Sequence, residues 1–336
     1  MSKKITIIAE AGVNYNGDIA IAKEMVKAAA ASGADFVKFQ TGVPKFDVSV
    51  FAEKAEYQKN NTGDASGAES QLEMCSKLML PFEVYPELIA CCEENHIRFL
   101  SSPFDPPCAR FLHEMGMHLW KIPSGEITHF PMLKVIASYG EPIIMSTGMA
   151  TLEEIDTTLT YLREHGAGEI TLLHCNSEYP TPYPDANIRA MFALRERFGL
   201  EVGYSDHTLG IEVPIAAAAL GATVIEKHFT LDRTMEGPDQ VSSIEPDELK
   251  RLVESIRHVE AALGTGIKAP TESERKNINV VRKSIVAACA IRKGEIFSEE
   301  NLACKRPGGG ISPMEWDHII GLTAVRDFAP DEKIEL

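Results

Sequence analysis

Eight times within its first 265 residues the chain passes from a short apolar run to a longer stretch with helical periodicity. That alternation is what parallel strands joined by crossover helices require. The runs are ITIIA from Ile5, DFVKF from Asp35, IRFLS from Ile97, LWKI from Leu119, PIIMS from Pro142, EITLLH from Glu169, EVGYS from Glu201 and TVIEKH from Thr223. Eight units in this length predict an α/β fold of the closed (β/α)8, or TIM-barrel, type over residues 1–265. An open doubly wound sheet is the alternative. It ordinarily brings a glycine-rich phosphate loop, and neither G-x-G-x-x-G nor a P-loop occurs here.

Local signals support the helices. Asp18 is placed to cap a helix whose Ile21, Met25 and Ala29 recur at four-residue spacing before Gly33 stops it. Thr151-Leu152-Glu153-Glu154 reads as a capping box, and Pro246 opens a helix with Leu249, Leu252, Val253 and Ile256 on one face. After Gly264 the texture changes. Residues 266–280 carry few large apolar side chains and read as a linker, and residues 281–336 show short β-like runs, tight-turn signals and a Gly308–Gly310 cluster. A small, mostly β second domain is expected there, with little core of its own.

Composition narrows the partners. A formal charge of −16 supplies no basic surface for nucleic acid or anionic membrane, so neither is expected as a partner. No run matches a signal sequence or a membrane span. The seven cysteines form no C-x-x-C pair and are odd in number, which favours reduced thiols and a cytoplasmic location.

In a barrel the reacting groups stand at the carboxyl ends of the strands. Those ends carry Glu10, then Lys38 and Gln40, Ser101 and Ser102, Lys121 and Ser124, Ser146 and Thr147, His174, Ser205 with Asp206 and His207, and Glu226 with His228. Lys38 and Lys121 sit inside apolar strands. Either they face an anion together with Ser102, Ser124, Ser146 and Ser205, or their stems carry the charge out to solvent. His207 and His228 end adjacent strands and are either hydrogen-bonded core residues or metal ligands. With Glu10 and Glu226 near and no cysteine, the second reading suits Mn²⁺ or Mg²⁺ rather than structural zinc. His174, His129 and His113 are read as ordinary hydrogen-bonded histidines.

The motifs IIAEAGVNYNGD, FVKFQT, AEYQKNNT, ESQLEM, LSSPFD, WKIPSGE, STGMA, HCNSEYPTP, GYSDHT, EKHFT and GPDQ follow one another along the chain. In this order they resemble the N-acetylneuraminate (sialic acid) synthase family, and KRPGGGISP resembles the family's C-terminal antifreeze-like (SAF) domain. The resemblance implies that a divalent metal is held by His207 and His228. It implies that Lys38, Ser102, Lys121, Ser124, Ser146, Ser177 and Ser205 hold phosphoenolpyruvate, and that Gln40, Asn61, Tyr179 and Asp239 contact an N-acetylated amino sugar. Glu10 matches the acidic residue beside the metal and its water, and on chemical grounds it is placed, aided by Glu226, to move that water's protons. Arg306 matches an arginine delivered from the other subunit, which implies a homodimer with swapped C-terminal domains. The chain departs from one relative at Ser177, an asparagine there, and at Val280, an aromatic there.

By that resemblance the expected reaction joins phosphoenolpyruvate, N-acetylmannosamine and water to give N-acetylneuraminate and phosphate. The alternatives are synthesis of N,N'-diacetyllegionaminate from a 2,4-diacetamido-2,4,6-trideoxymannose, more distantly of pseudaminate, and, outside enzymes, carbohydrate binding without catalysis. A metal-dependent sugar hydrolase on the same barrel would have no use for the paired lysines.

Overall fold

The computed structural model describes residues 4–64 and 68–336 and divides into two compact units, 1–264 and 265–336. In the first, eight parallel strands form one sheet: β1 (Thr6–Gly12), β2 (Phe36–Thr41), β3 (Arg98–Pro103), β4 (Trp120–Ile122), β5 (Ile143–Ser146), β6 (Ile170–Cys175), β7 (Glu201–Asp206) and β8 (Val224–His228). Seven ladders run in the order β3-β2-β1-β8-β7-β6-β5-β4, and β3 and β4 close the circle side by side without a hydrogen-bonded ladder of their own. This is the (β/α)8 barrel that the eightfold alternation predicts. The register pairs Glu10 with both Lys38 and His228, so three polar residues share one level of the rim.

Each predicted strand forms because its apolar side chains fill the layer between sheet and helices. Ile7, Val37, Leu100, Trp120, Met145, Leu172, Val202 and Ile225 are among the buried side chains of this core. Side chains alternate across a strand. On β8, Glu226 and His228 line the mouth cavity while Lys227 between them pairs elsewhere.

The helical signals act as expected. The Asp18 carboxylate accepts from the Ala20 and Ile21 amides, although the buried face of helix Ile19–Ala31 is Ala22, Met25, Val26 and Ala29, leaving Ile21 half-exposed. Thr151 and Glu154 cap each other's amides at the start of Leu152–Glu164. Pro246 opens Pro246–Leu263, whose Leu249, Leu252, Val253 and Ile256 are buried.

The second unit holds a two-stranded antiparallel sheet, β9 (Ser284–Ala287) with β10 (Leu302–Lys305), over a small core that includes Ile285, Ile291, Phe297, Leu302, Phe328 and Ile334. The stretch read as a linker contains a helix, Glu272–Val281, capped by Thr271 and Glu274 and burying none of its residues. Its end is tied down by the Gly308 amide, which donates to the Asn279 carbonyl at 2.8 Å. A helix held by its caps and one backbone bond has no apolar stripe to announce it. None of the seven cysteines is bridged, and among the described residues no helix is long and apolar enough to cross a membrane.

Candidate active site

Four buried charges stand at the centre of the barrel mouth. Lys38 and Lys121 are 2% and 1% exposed, so their stems do not carry the charge to solvent. The Lys38 ammonium lies 2.9 Å from the Glu10 carboxylate and 3.8 Å from Glu226, and donates to Ser102 Oγ at 3.2 Å. Lys121 lies 3.3 Å from Glu226 and donates to Ser146 Oγ at 2.8 Å. Ser205 completes the set by donating to Glu226 at 2.9 Å.

The two carboxylates are not equivalent. Burial pushes the Glu10 carboxyl up against the pull of Lys38, and the neighbouring Glu226 charge adds to the rise. Burial acts to raise Glu226 too, but Lys121 and Lys38 together outweigh it and hold that group below the ordinary carboxylate range. Two carboxyls pushed apart in this way can divide the roles of proton carrier and fixed negative charge.

Above them stand the imidazoles of His207 and His228, ring centroids 5.2 Å apart. His207 Nδ1 lies 2.6 Å from the Asn176 carbonyl, which only accepts, so Nδ1 carries the proton and Nε2 keeps its lone pair. His228 Nδ1 is buried and, among the described residues, has no hydrogen-bond partner; it lies 3.8 Å from Asp239. Burial lowers His207 to about 4 and pushes His228 well below the ordinary range, so both rings are neutral near pH 7. Two neutral imidazoles with lone pairs to offer, beside buried carboxylates, fit a divalent cation of the Mn²⁺ or Mg²⁺ class. Contrary to the expectation of no cysteine near the site, Cys75 and Cys175 also line the cavity.

The chain builds this arrangement locally. Gly12 has φ +54°, and a Cβ there would come within 3.2 Å of the His228 ring, so only glycine lets β1 pass beneath it. On the outer side of β8, Lys227 donates to Asp206 at 2.6 Å and to the Thr208 carbonyl. Asp206 in turn accepts from the Thr208 amide and hydroxyl, which fixes the turn carrying His207. Sequence reading named Asp206 at its strand end but passed over Lys227, because outward positions of a barrel strand are ordinarily apolar.

A cavity of about 410 Å³ opens over these groups. It gathers Glu10, Lys38, Gln40, Ser102, Lys121, Ser124, Ser146, Ser177, Tyr179, Ser205, His207, Glu226, His228 and Asp239. Asn61 stands just behind its wall, donating to the Pro238 carbonyl at 2.7 Å and the Tyr179 carbonyl at 3.4 Å, so its amide supports the wall. Arg306 is an exposed residue of the second unit, before a cis Arg306–Pro307 bond. Tyr57, Met74 and Met79 also line the cavity and were not singled out from sequence. Tyr57 stacks on Tyr179 at 5.0 Å, and the Tyr179 ring meets that of His207 at 4.2 Å, tilted by 42°. Tyr57 and Met74 had only their position within the AEYQKNNT and ESQLEM motifs as a signal, and Met79 lies outside both. Of the histidines read as ordinary, His174 donates to the Ala186 carbonyl at 3.0 Å and His129 pairs with Glu126 at 2.6 Å.

Asp239 permits a test of the site's electrostatics. Burial raises its carboxyl from 3.8 to about 6. With the folded value above the unfolded one, the native state holds the extra proton between pH 4 and 6. Stability is therefore lost as pH rises through that window and stays reduced above it. In EDTA-treated protein, Asp239→Asn is expected to raise unfolding stability by roughly 1–3 kcal/mol at pH 8 and by almost nothing at pH 4. Urea midpoints across that range check it, and a gain independent of pH would show that the carboxylate's burial is not the cause.

The family model described as NeuB family matches residues 25–268, and that of the SAF domain matches residues 282–335. The N,N'-diacetyllegionaminic acid synthase of Campylobacter jejuni is 52% identical over 334 residues, covering 99% of each chain. The N,N'-diacetyllegionaminic acid synthase of Legionella pneumophila is 47% identical over 319 residues, 94% of this chain and 89% of that one. Among solved structures, the N-acetylneuraminic acid synthetase of Leptospira borgpetersenii, crystallised with citrate, superposes with a TM-score of 0.70 at 33% identity, covering 82% of this chain and 90% of that one. With its barrel, its second unit and nearly its whole length matched, this chain belongs to the NeuB family.

Proposed function

We propose that this chain is a phosphoenolpyruvate-dependent synthase of a nine-carbon acidic sugar, and that its sugar substrate is 2,4-diacetamido-2,4,6-trideoxymannose, giving N,N'-diacetyllegionaminate. The observation that carries the reaction class is the buried pair of lysines set against two unequal carboxylates beneath two neutral imidazoles. The charges of Glu10, Glu226, Lys38 and Lys121 cancel in the free site. A multiply charged anion and a divalent cation entering together keep that balance, and the raised Glu10 accommodates a remaining proton.

Lys38 and Lys121 bind the phosphate and carboxylate of phosphoenolpyruvate, with hydroxyls from Ser102, Ser124, Ser146, Ser177 and Ser205 filling the remaining acceptor positions. Gln40, Tyr179 and Asp239 hold the open-chain sugar so that its aldehyde carbon faces C3 of the enol. C3 attacks that carbon with the enol π pair, the aldehyde π pair moves onto its oxygen, and C2 is left electron-poor. Water adds at C2 and gives one proton to Glu10, which returns it to the new alkoxide; the C2–O bond to phosphate then breaks with its electron pair on phosphate, whose charge the lysines stabilise, and the C2 hydroxyl proton passes to the phosphate as the ketone forms. When bound at His207 and His228, a divalent ion supplies Lewis acidity to the aldehyde oxygen. The seven unpaired thiols suit the reducing cytoplasm.

The sugar assignment reverses the order expected from sequence, where N-acetylmannosamine stood first. Support comes from the 52% and 47% identities to two legionaminic acid synthases, against 33% to the neuraminic acid synthetase. Apolar side chains of Val13, Met74, Leu78 and Met79 in the wall suit a methyl at the sugar's C6. An apolar wall discriminates only modestly against an added hydroxyl. The expected result is a kcat/KM at least about tenfold higher for the diacetamido sugar than for N-acetylmannosamine. The opposite order returns the assignment to neuraminate. Phosphate release without phosphoenolpyruvate dependence would refute the synthase reading altogether.

The exposed Arg306 on a small unit also supports a swapped homodimer, each second unit serving the partner's barrel. Arg306→Ala and His228→Ala, each inactive alone, are expected to recover activity when refolded together. No recovery despite proven mixed dimers would place Arg306 with its own barrel.

A further inference from the structure

The amino-terminal ends of the strands, opposite the catalytic mouth, carry a second cluster of ligand-bearing side chains. His113 lies at the end of helix Pro106–Glu114, His118 in the link entering β4, and Glu141 in the link entering β5. One ligand atom from each falls within 4.8 Å of the others. His118 Nδ1 is 2.5 Å and His113 Nδ1 3.7 Å from the same oxygen, Glu141 Oε1. The other oxygen of Glu141 accepts from Trp120 Nε1 at 2.7 Å, which fixes the carboxylate's direction. The His113 ring is held by stacking on Tyr139 at 3.8 Å and 14°. The His118 ring stands at 88° to it.

A plain ion pair explains His118 with Glu141 and leaves His113 unexplained. Its Nδ1 is buried and, among the described residues, has no hydrogen-bond partner. A polar atom held out of water and aimed at a carboxylate lacks the positive charge that would bind both. We propose that His113, His118 and Glu141 form a second divalent-metal site, for zinc or a cation of similar softness, with a fourth position open to water. Two imidazoles and one carboxylate are a zinc-type donor set, poor for Mg²⁺. The Trp120 contact to Glu141 is the kind of outer support that metal-binding carboxylates use.

Such an ion would tie the helix after β3 to the starts of β4 and β5. That is beside the seam, where β3 and β4 share no ladder, and the function is therefore structural. The test titrates Zn²⁺ into EDTA-stripped His207→Ala/His228→Ala protein, in which the mouth ligands are gone. One equivalent is expected at micromolar affinity, uncompeted by millimolar Mg²⁺, and weakened at least tenfold by adding His118→Ala or Glu141→Gln. His118→Ala alone should leave phosphate release at the wild-type rate, since His118 is remote from the mouth. Absence of that equivalent, or its persistence in the His118→Ala background, overturns the site. Wild-type crystals soaked in Zn²⁺ give a second reading that does not depend on the double variant folding. An anomalous peak among the three side chains supports the site, and a peak at the mouth alone refutes it.

Discussion

His207→Ala and His228→Ala are each expected to lower turnover by at least about 10³-fold, the several kcal/mol that Lewis-acid stabilisation contributes. The two rings are neutral, one with Nε2 freed by its bond to Asn176 and the other with a buried, partnerless Nδ1. Removing either leaves a single imidazole, which cannot hold a divalent ion against EDTA. The fold should survive, because neither ring is a large part of the core; removing His228 relieves a buried polar atom, and removing His207 leaves only the Asn176 carbonyl without its donor. The check is kcat after EDTA treatment and metal return, with circular dichroism and the unfolding midpoint alongside. A variant that regains near wild-type rate would remove its histidine from the ligand set.

Lys121→Ala is expected to raise the KM for phosphoenolpyruvate by roughly 100-fold, while changing that for the sugar only a few-fold. Both lysines are buried, yet Lys38 is shared between Glu10 and Glu226 whereas Lys121 meets Glu226 alone. Burial lowers the Lys121 ammonium despite that partner, so a second anion beside it is welcome. The substitution also strips Glu226 of its nearer counter-charge, so some loss of stability should accompany the loss of affinity. Lys121→Met, which keeps the stem, separates the two effects. A KM that rises equally for both substrates would show that Lys121 shapes the cavity rather than binding the anion.

The strands were legible because each is an apolar run between helical patterns, and their ends named most of the mouth's charged groups. Sequence left open whether Lys38 and Lys121 turned outward. Burial at 2% and 1% with partners in place decides that they do not. Tyr57, Met74 and Met79 were not legible, since they sit in the long connection after β2, where no strand register fixes which side chains reach the mouth. Helix Glu272–Val281 escaped notice because it buries nothing. His113, His118 and Glu141 come together only when a helix end and two strand entries are folded onto one face, a juxtaposition that no local spacing carries.

The Asp206–Lys227 pair behind the imidazoles restricts how this mouth can diverge. Each is buried against the other, so losing one strands a charge at a cost of about 3–5 kcal/mol, whereas an apolar pair of matching volume would be nearly neutral. Lineages that alter these positions must therefore cross a valley or change both at once. Even the compensated pair gives up the hold on Thr208 that keeps His207 in place. A double-mutant cycle would read this as strong coupling in stability with activity left unrestored, the mark of a position where drift is confined by geometry rather than by contact with substrate.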